Sequence, residues 1–234
     1  ALTKALEQRF LETGSPRNLT LFYAAAQGNR DGSGADHFAH EGMLKRVIGG
    51  HYNMVPELGK LITTNKLEAY NLPQGTLSQL YRDIAGHKLG TITHVGMNTF
   101  ADPRIEGGKL NEATTEDIVE VVEVLGEERL LYKAQKFNIG FIRGTYADEN
   151  GNVTLEHECT TTEATSIAQA VKNCGGKVVV QVEKVVQEGC LDPKLVKIPG
   201  IYVDAVVVCE DKQDHAQCQG CEYDGSMTGD FRVP

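Results

Sequence analysis

None of the 234 residues lies in an apolar run approaching 18 positions. These residues therefore hold no transmembrane helix and no signal-peptide core. A basic excess is missing as well: 23 Lys and Arg against 32 Asp and Glu give a net charge of −9. That balance disfavours nonspecific binding to nucleic acid or to an anionic membrane, both of which need a basic footprint. It leaves room for an anionic small ligand met by a few local donors. Phosphate loops are absent, because neither Gly108-Lys109 nor Gly176-Lys177 has the upstream glycine and the following Ser or Thr. No G-x-G-x-x-G follows a predicted strand, and no G-x-S-x-G occurs. Cysteine is sparse: six residues are scattered over 159–221. A secreted disulfide scaffold is shorter and denser, so reduced cytosolic thiols, and a cytoplasmic protein, are expected.

A globular chain of this length buries roughly 70–75% of its unfolded surface, enough for one large domain or two small ones. Neither an internal repeat nor a low-complexity linker is present. Both ends read as cut. The start, ALTKALEQRFLETGSP, has no initiator methionine. It places Leu2, Leu6 and Phe10 on one helical face before Gly14 and Pro16 stop the helix. The end, DGSMTGDFRVP, is polar and turn-rich, as domain edges are.

Between the ends, short apolar strands alternate with helices. Residues 18–26 read as a buried strand, 67–71 as a short strand, and 76–86 as a helix with Leu77, Leu80, Tyr81 and Ile84 on one face. Residues 91–96 are strand-like, and DIVEVVEV (117–124) alternates as a half-exposed strand does. Residues 130–156 read as further strands around the DENGN turn. Thr160 and Glu163 have capping-box spacing before a helix that faces inward with Ile167, Ala168 and Val171 and ends at Gly175. KVVVQVEKVV (177–186) then reads as a buried strand, and 204–210 as another. This alternation predicts an α/β fold with an open, largely parallel sheet flanked by helices, in a single domain spanning 1–234.

The stretch QGNRDGSGADHFAHEG (27–42) invites a metal reading. With Gly32 at the sixth position of a calcium loop, Phe38 falls where the bidentate acid belongs. His37, His40 and Glu41 form H-x-x-H-E, which matches no zinc-enzyme motif. A glycine-rich turn into a helix is the plain alternative, with Asp36 as N-cap and Met43, Leu44, Val47 and Ile48 as its apolar stripe. In CEDKQDHAQCQGCEY, Cys209, His215, Cys218 and Cys221 could hold zinc tetrahedrally. The C-x-x-C is single, however, and solvent-facing loop cysteines fit it better, so no metal is expected. In a doubly wound sheet, ligands sit where strands end and helices begin. Asn71-Leu72-Pro73-Gln74-Gly75 fits best: Gly75 admits a group to the backbone, free N–H groups at a helix start favour anions, and Gln74 adds a neutral donor. Residues 95–100, containing Gly96 and Asn98, follow the next strand.

NLTLFYAAAQGNRDGSGADHFAHEG, KRVIGGHY, EAYNLPQG, THVGMNTFADPR, EGGKLNE, FIRGTYADENGN, AQAVKNCGG and LDPKLVKIPGIYVDAVVV together resemble the first half of the fused, single-chain family I coenzyme A transferases, most of all the propionate type. The resemblance runs in order over essentially the whole chain. It implies transfer of CoA between propionyl- or acetyl-CoA and a free carboxylate through a glutamyl-CoA thioester, with acetoacetate or lactate types as the neighbouring alternative. A ligand- or zinc-binding domain without catalysis is the alternative of another class. Gln74 matches the glutamine of the family's S/P-Q-G motif, and Gly75, Gly96, Asn98 and His40 are the expected substrate contacts. The glycine stretch becomes a loop-to-helix connection, in which His37 and His40 either touch substrate or pack at a junction. No cofactor is implied, since the CoA thioester is itself a substrate. Expected partners are the C-terminal half of the same enzyme and further copies of it, with no nucleic acid and no membrane. Three departures stand out. The nucleophilic glutamate belongs to a Glu-x-Gly motif beyond this chain, the family's N-terminal glycine-rich segment is absent, and Asn98 stands where V-G-x-G-T-F has glycine.

Overall fold

The computed structural model describes residues 1–217 and 223–233. They fall into two compact units, one of Thr3–Asp83 with Lys88–Ala134, the other of the residues from Gln135 on with Ala1–Leu2 and Ile84–His87.

The first unit begins with α1 (Leu2–Thr13), of which Phe10 is buried. The helix stops at Gly14, which takes φ +68° and returns its N–H to the Phe10 carbonyl at 2.7 Å. Glycine adopts this left-handed stop with no Cβ to obstruct it. Strands β1 (Leu19–Phe22), β2 (Leu44–Gly49) and β3 (Glu68–Asn71) form a parallel sheet with β2 in the middle. Helix α2 (Pro56–Thr63) connects β2 to β3, and α3 (Gln74–Ala85) follows β3. All four residues of the predicted α3 stripe, Leu77, Leu80, Tyr81 and Ile84, are buried. Burying a side chain of that size contributes roughly 1.5–3 kcal/mol. Strands β4 (Gly90–Thr93), β5 (Val119–Val124) and β6 (Glu127–Lys133) make an antiparallel sheet in the order β4-β6-β5.

Residues 43–48 overturn one expectation. Met43, Leu44, Val47 and Ile48 are all buried, as the stripe requires, but Leu44 to Ile48 run along β2 rather than a helix. A middle strand covered on both faces loses its period of two, and the surviving pattern imitates a helical one. Asp36 likewise does not start a long helix. It lies in a 3-10 turn, Gly34–Phe38, and its buried carboxylate accepts the Leu58 N–H at 2.9 Å. Leu58 belongs to the first turn of α2, whose own N-cap Val55 provides no side-chain cap. Asp36 therefore caps a helix that begins 20 residues downstream in sequence, at Pro56.

The second unit contains β7 (Ile139–Arg143), β8 (Tyr146–Asp148), β9 (Val153–Thr154), α4 (Ala164–Asn173), β10 (Lys177–Val182), β11 (Lys184–Val186), β12 (Val196–Ile198), β13 (Ala205–Val208) and the short α5 (Gly225–Thr228). One sheet is parallel, in the order β13-β10-β7, and the other is mixed, in the order β11-β8-β9-β12. The predicted single strand 177–186 is thus two strands in two sheets. Its parallel neighbour breaks in step with it: β7 pairs with β10, and β8 with β11. At the break, Gly144 leaves no room for a side chain, since one would overlap Val153 and stand 3.0 Å from the Thr154 carbonyl oxygen. Ala168 and Val171 of α4 pack into a core with Ile142, Val178 and Val180, while Ile167 is partly buried against it. The capping box does not form. Glu163 is the N-cap but makes no side-chain capping bond, and Thr160 Oγ1 instead accepts the Thr162 N–H at 3.1 Å. The α4 helix ends as expected, with Gly175 at φ +76°.

The architecture is mixed α/β, with parallel sheets flanked by helices. Among the described residues no helix is long and apolar enough to cross a membrane.

Candidate active site

Because β1, β2 and β3 run parallel, their C-terminal ends share one edge, the edge at which such sheets bind ligands. Beyond β3 the chain turns at Leu72, whose N–H bonds the Gly49 carbonyl at 3.0 Å and ties the turn to the end of β2. Gln74 and Gly75 are the first two residues of α3, so the helix starts slightly earlier than its apolar stripe suggests. The Pro73 carbonyl accepts the N–H groups of Thr76 at 2.9 Å and Leu77 at 3.1 Å. The N–H groups of Gln74 and Gly75 precede these and have no intrahelical acceptor by position. Pro73 brings no polar side chain to cap them. Aligned peptide dipoles make such a start favourable for a carboxylate or a developing oxyanion.

Gln74 is exposed and Gly75 faces open space: a side chain there would meet no atom within 4 Å. The protein's own packing does not require this glycine. Gly50, which no sequence motif singles out, is different. A methyl group on it would overlap the Ala24 carbonyl and stand 2.9 Å from the Gln74 Cβ. The Gly49-Gly50 pair directly after a β-forming run was the available signal. Beneath it, the Tyr23 ring lies against Gly49 and meets the Tyr52 ring edge-on at 5.9 Å. Tyr23 donates to the His51 carbonyl at 3.2 Å and Tyr52 to the Tyr70 carbonyl at 2.6 Å. Burial pushes both phenols well above their ordinary range, so they serve as neutral supports.

Gly96 and Asn98 lie in the loop after β4. Gly96 takes φ +94°, and a side chain on it would overlap the Tyr132 hydroxyl, which donates to the Val95 carbonyl at 2.8 Å. Internal packing thus demands this glycine. Asn98 takes φ +60°, the left-handed region that asparagine tolerates better than most residues. Its N–H donates to Asp102 Oδ2 at 3.0 Å. Asp102 also accepts the Arg104 N–H at 3.0 Å and two guanidinium bonds at 3.0 and 2.9 Å. The Arg104 guanidinium, with the two backbone N–H groups, holds the buried Asp102 carboxyl well below the usual carboxylate range.

His40 is placed elsewhere. Its carbonyl accepts the Met43 N–H at 3.0 Å, ahead of β2, whereas Gln74 lies past the far end of β3. At ~3.3 Å per residue, β2 alone separates those ends by about 20 Å. The structure does not bring the two together. His40 Nε2 and His37 Nδ1 instead each meet one oxygen of Glu7 at 2.6 Å. Burial raises the Glu7 pKa, but the two histidines outweigh it and leave it lowered.

Of the possible zinc ligands, Cys218 and Cys221 lie outside the described residues. Cys209 is buried rather than solvent-facing, with its Sγ 3.2 Å from the Asp211 carbonyl oxygen. Buried His215 has its Nδ1 2.9 Å from Gln181 Nε2, and burial, aided by the Arg143 charge, pushes its pKa down to about 4. Among the described residues no group of three or more His, Cys, Asp or Glu could hold a metal ion.

A family model described as coenzyme A transferase matches residues 4–209. Caffeate CoA-transferase of Acetobacterium woodii is 44% identical over 230 residues, which is 98% of this chain and 44% of that protein. Acetate CoA-transferase YdiF of Escherichia coli K12 is 42% identical over 232 residues, 99% of this chain and 43% of that protein. The crystal structure of the acyl-CoA transferase YdiF of E. coli O157:H7, a thioester complex with CoA, superposes with a TM-score of 0.94 at 42% identity. It covers 99% of this chain and 45% of that one. The chain spans less than half the length of these relatives.

Proposed function

The chain belongs to the coenzyme A transferase family, and from that premise we propose that it supplies the half of a CoA-transferase active site that does not carry the nucleophile. The reaction moves CoA between a short-chain acyl-CoA, propionyl or acetyl, and a free carboxylate. The observation that carries this reading is the open start of α3. Gln74 and Gly75 stand there at a parallel sheet's C-terminal edge, with N–H groups that have no intrahelical acceptor by position and open space beside Gly75.

In the proposed sequence, a glutamate from outside this chain attacks the thioester carbonyl of acyl-CoA. The C–S bond breaks, CoA leaves as a thiolate, and a mixed anhydride forms. The thiolate then attacks the glutamyl carbonyl and expels the first carboxylate, leaving a glutamyl-CoA thioester. A second carboxylate repeats the two steps in reverse and departs as the new acyl-CoA. This is covalent, ping-pong chemistry. Each tetrahedral oxyanion needs donors, and Gln74 with the first N–H groups of α3 is suited to one of them. A neutral amide fits better than a cation, which would hold the attacking carboxylate in an ion pair and blunt it. No cofactor takes part. The propionate type, the fused arrangement with a C-terminal half, assembly into oligomers and a cytoplasmic site belong to the same reading.

The test uses the complete polypeptide that contains this chain. Incubation with propionyl-CoA should leave a CoA-sized adduct in the denatured intact mass. Gln74→Ala should lower kcat by ~10²–10³, the usual loss for one oxyanion donor, with an unchanged melting temperature. Wild-type turnover in that variant would remove Gln74 from the site. Acetoacetate or lactate accepted far better than acetate or propionate would move the protein to the neighbouring type.

A further inference from the structure

Beside Gly75 a cleft of about 290 Å³ opens between α3 and β4, with Pro73, Gly75 and Gln79 on one side and Ile92, Thr93 and Val95 on the other. Its lining is mainly apolar. Ile92 is 53% and Val95 41% exposed, which leaves two large apolar side chains uncovered at one spot. The walls are held at a set separation. Asp83 of α3 accepts the Thr91 hydroxyl of β4 at 2.7 Å and is braced by Lys88 at 2.7 Å and Gln79 at 3.3 Å. Burial raises the Asp83 pKa, but those partners outweigh it and leave it lowered, so the brace is ionised at neutral pH.

We propose that this cleft is the subsite for the alkyl chain of the short-chain carboxylate and of its thioester, and that it sets chain-length preference. The inference rests on the transferase reading above. Two complementarities meet at Gly75. The first N–H groups of α3, which have no intrahelical acceptor by position, suit the anionic or carbonyl end of the substrate. The apolar lining that continues from them suits its tail. The missing side chain of Gly75 leaves the passage between the two open. The volume is at the low end for small-molecule pockets, about 300–1,000 Å³, and leaves ample room for a short aliphatic chain. Burying one methylene is worth roughly fourfold in binding, so two additional methylenes in the cleft amount to about 15-fold.

Ile92→Trp fills the cleft from a half-exposed position and leaves the core untouched. In the complete polypeptide, kcat/KM is measured for acetate and for butyrate as acceptors, with propionyl-CoA as donor. In a ping-pong reaction each value reports the acceptor half alone. The expected result is a fall of about tenfold or more for butyrate, with acetate moving less than about threefold. Gln79→Trp, which fills the same cleft from the helix side, should reproduce that split, and Leu125→Trp on the exposed β5–β6 turn should not. Equal losses for both acceptors, or no change for either, overturn the subsite. If the unmodified polypeptide transfers CoA to no acceptor, the transferase reading fails first, and the subsite falls with it before any variant is compared.

Discussion

Gly50 and Gln74 touch across the ends of β2 and β3: a methyl group on Gly50 would stand 2.9 Å from the Gln74 Cβ and 3.1 Å from its Cα. The Gly50 N–H also bonds the Ala24 carbonyl at 3.1 Å, the same oxygen that a side chain would overlap. Position 50 thus sets where α3 begins. Gly50→Ala should displace Gln74 and lower kcat in the complete polypeptide. Overpacking of this kind costs about 1–3 kcal/mol, or several degrees in melting temperature for a chain of this size. Paired thermal melts and acceptor kinetics check this. A lowered melting temperature with unchanged kcat would mean that the position of Gln74 does not govern turnover.

Asn98 and Gly96 share a left-handed backbone but differ in what surrounds them. Asn98→Gly should be nearly neutral, because φ +60° suits glycine and the bond from its N–H to Asp102 remains. Asn98→Val should destabilise, since a β-branched residue resists that φ. Gly96→Ala should be worse still, combining φ +94° with overlap at the Tyr132 hydroxyl. Denaturant midpoints for the three variants should rank in that order.

Asp102 makes the loop acid-sensitive. Arg104, with the N–H groups of Asn98 and Arg104, depresses its folded pKa. A carboxyl depressed on folding adds stability above its unfolded value of about 3.9. It loses that stability as pH falls through this value and below it. Asp102→Asn should therefore lower stability at pH 7 and flatten its decline below pH ~4. Denaturant midpoints at pH 7, 4 and 3 report both effects, and parallel declines in variant and wild type would contradict the assignment.

Asp36 answers to the opposite sign. Burial raises its pKa despite the N–H groups of Leu58 and Glu57. A carboxyl raised on folding costs stability as pH climbs from its unfolded value to its folded one. Asp36→Asn keeps an oxygen for the Leu58 N–H and removes the charge, so stability should hold at pH 7. Asp36→Ala loses the cap and should cost about 0.5–2 kcal/mol. Melting temperatures of both variants separate the cap from the charge.

What could be read from the sequence was what is local. The α3 stripe, the Gly14 and Gly175 stops and the strand–turn–helix passage around Gln74 depend on neighbours within a few residues. The β2 residues imitate a helical stripe because a strand covered on both faces carries no alternation. The run 177–186 reads as one strand because nothing in it marks a change of sheet. That change is visible only beside β7 and β8, which break at Gly144. The place of Gln74 at a helix start could be read from residue type and context, whereas the close approach of Gly50 to it depends on β2 and β3 lying side by side. The Glu7 clamp on His37 and His40 joins residues 30 and 33 positions apart, and no pattern predicts it.

By itself, then, the sequence determined the alternation of strands and helices, the family and the helix start at Gln74. Each of these follows from backbone propensity, apolar periodicity or motif order, which are properties of neighbouring residues. Tertiary structure alone decided which strand is central, which carboxylate caps which helix, which glycines are demanded by packing, and that a cleft adjoins Gly75. Those outcomes depend on which distant segments share space, and the free energy of such contacts is spread over partners that local pattern does not name.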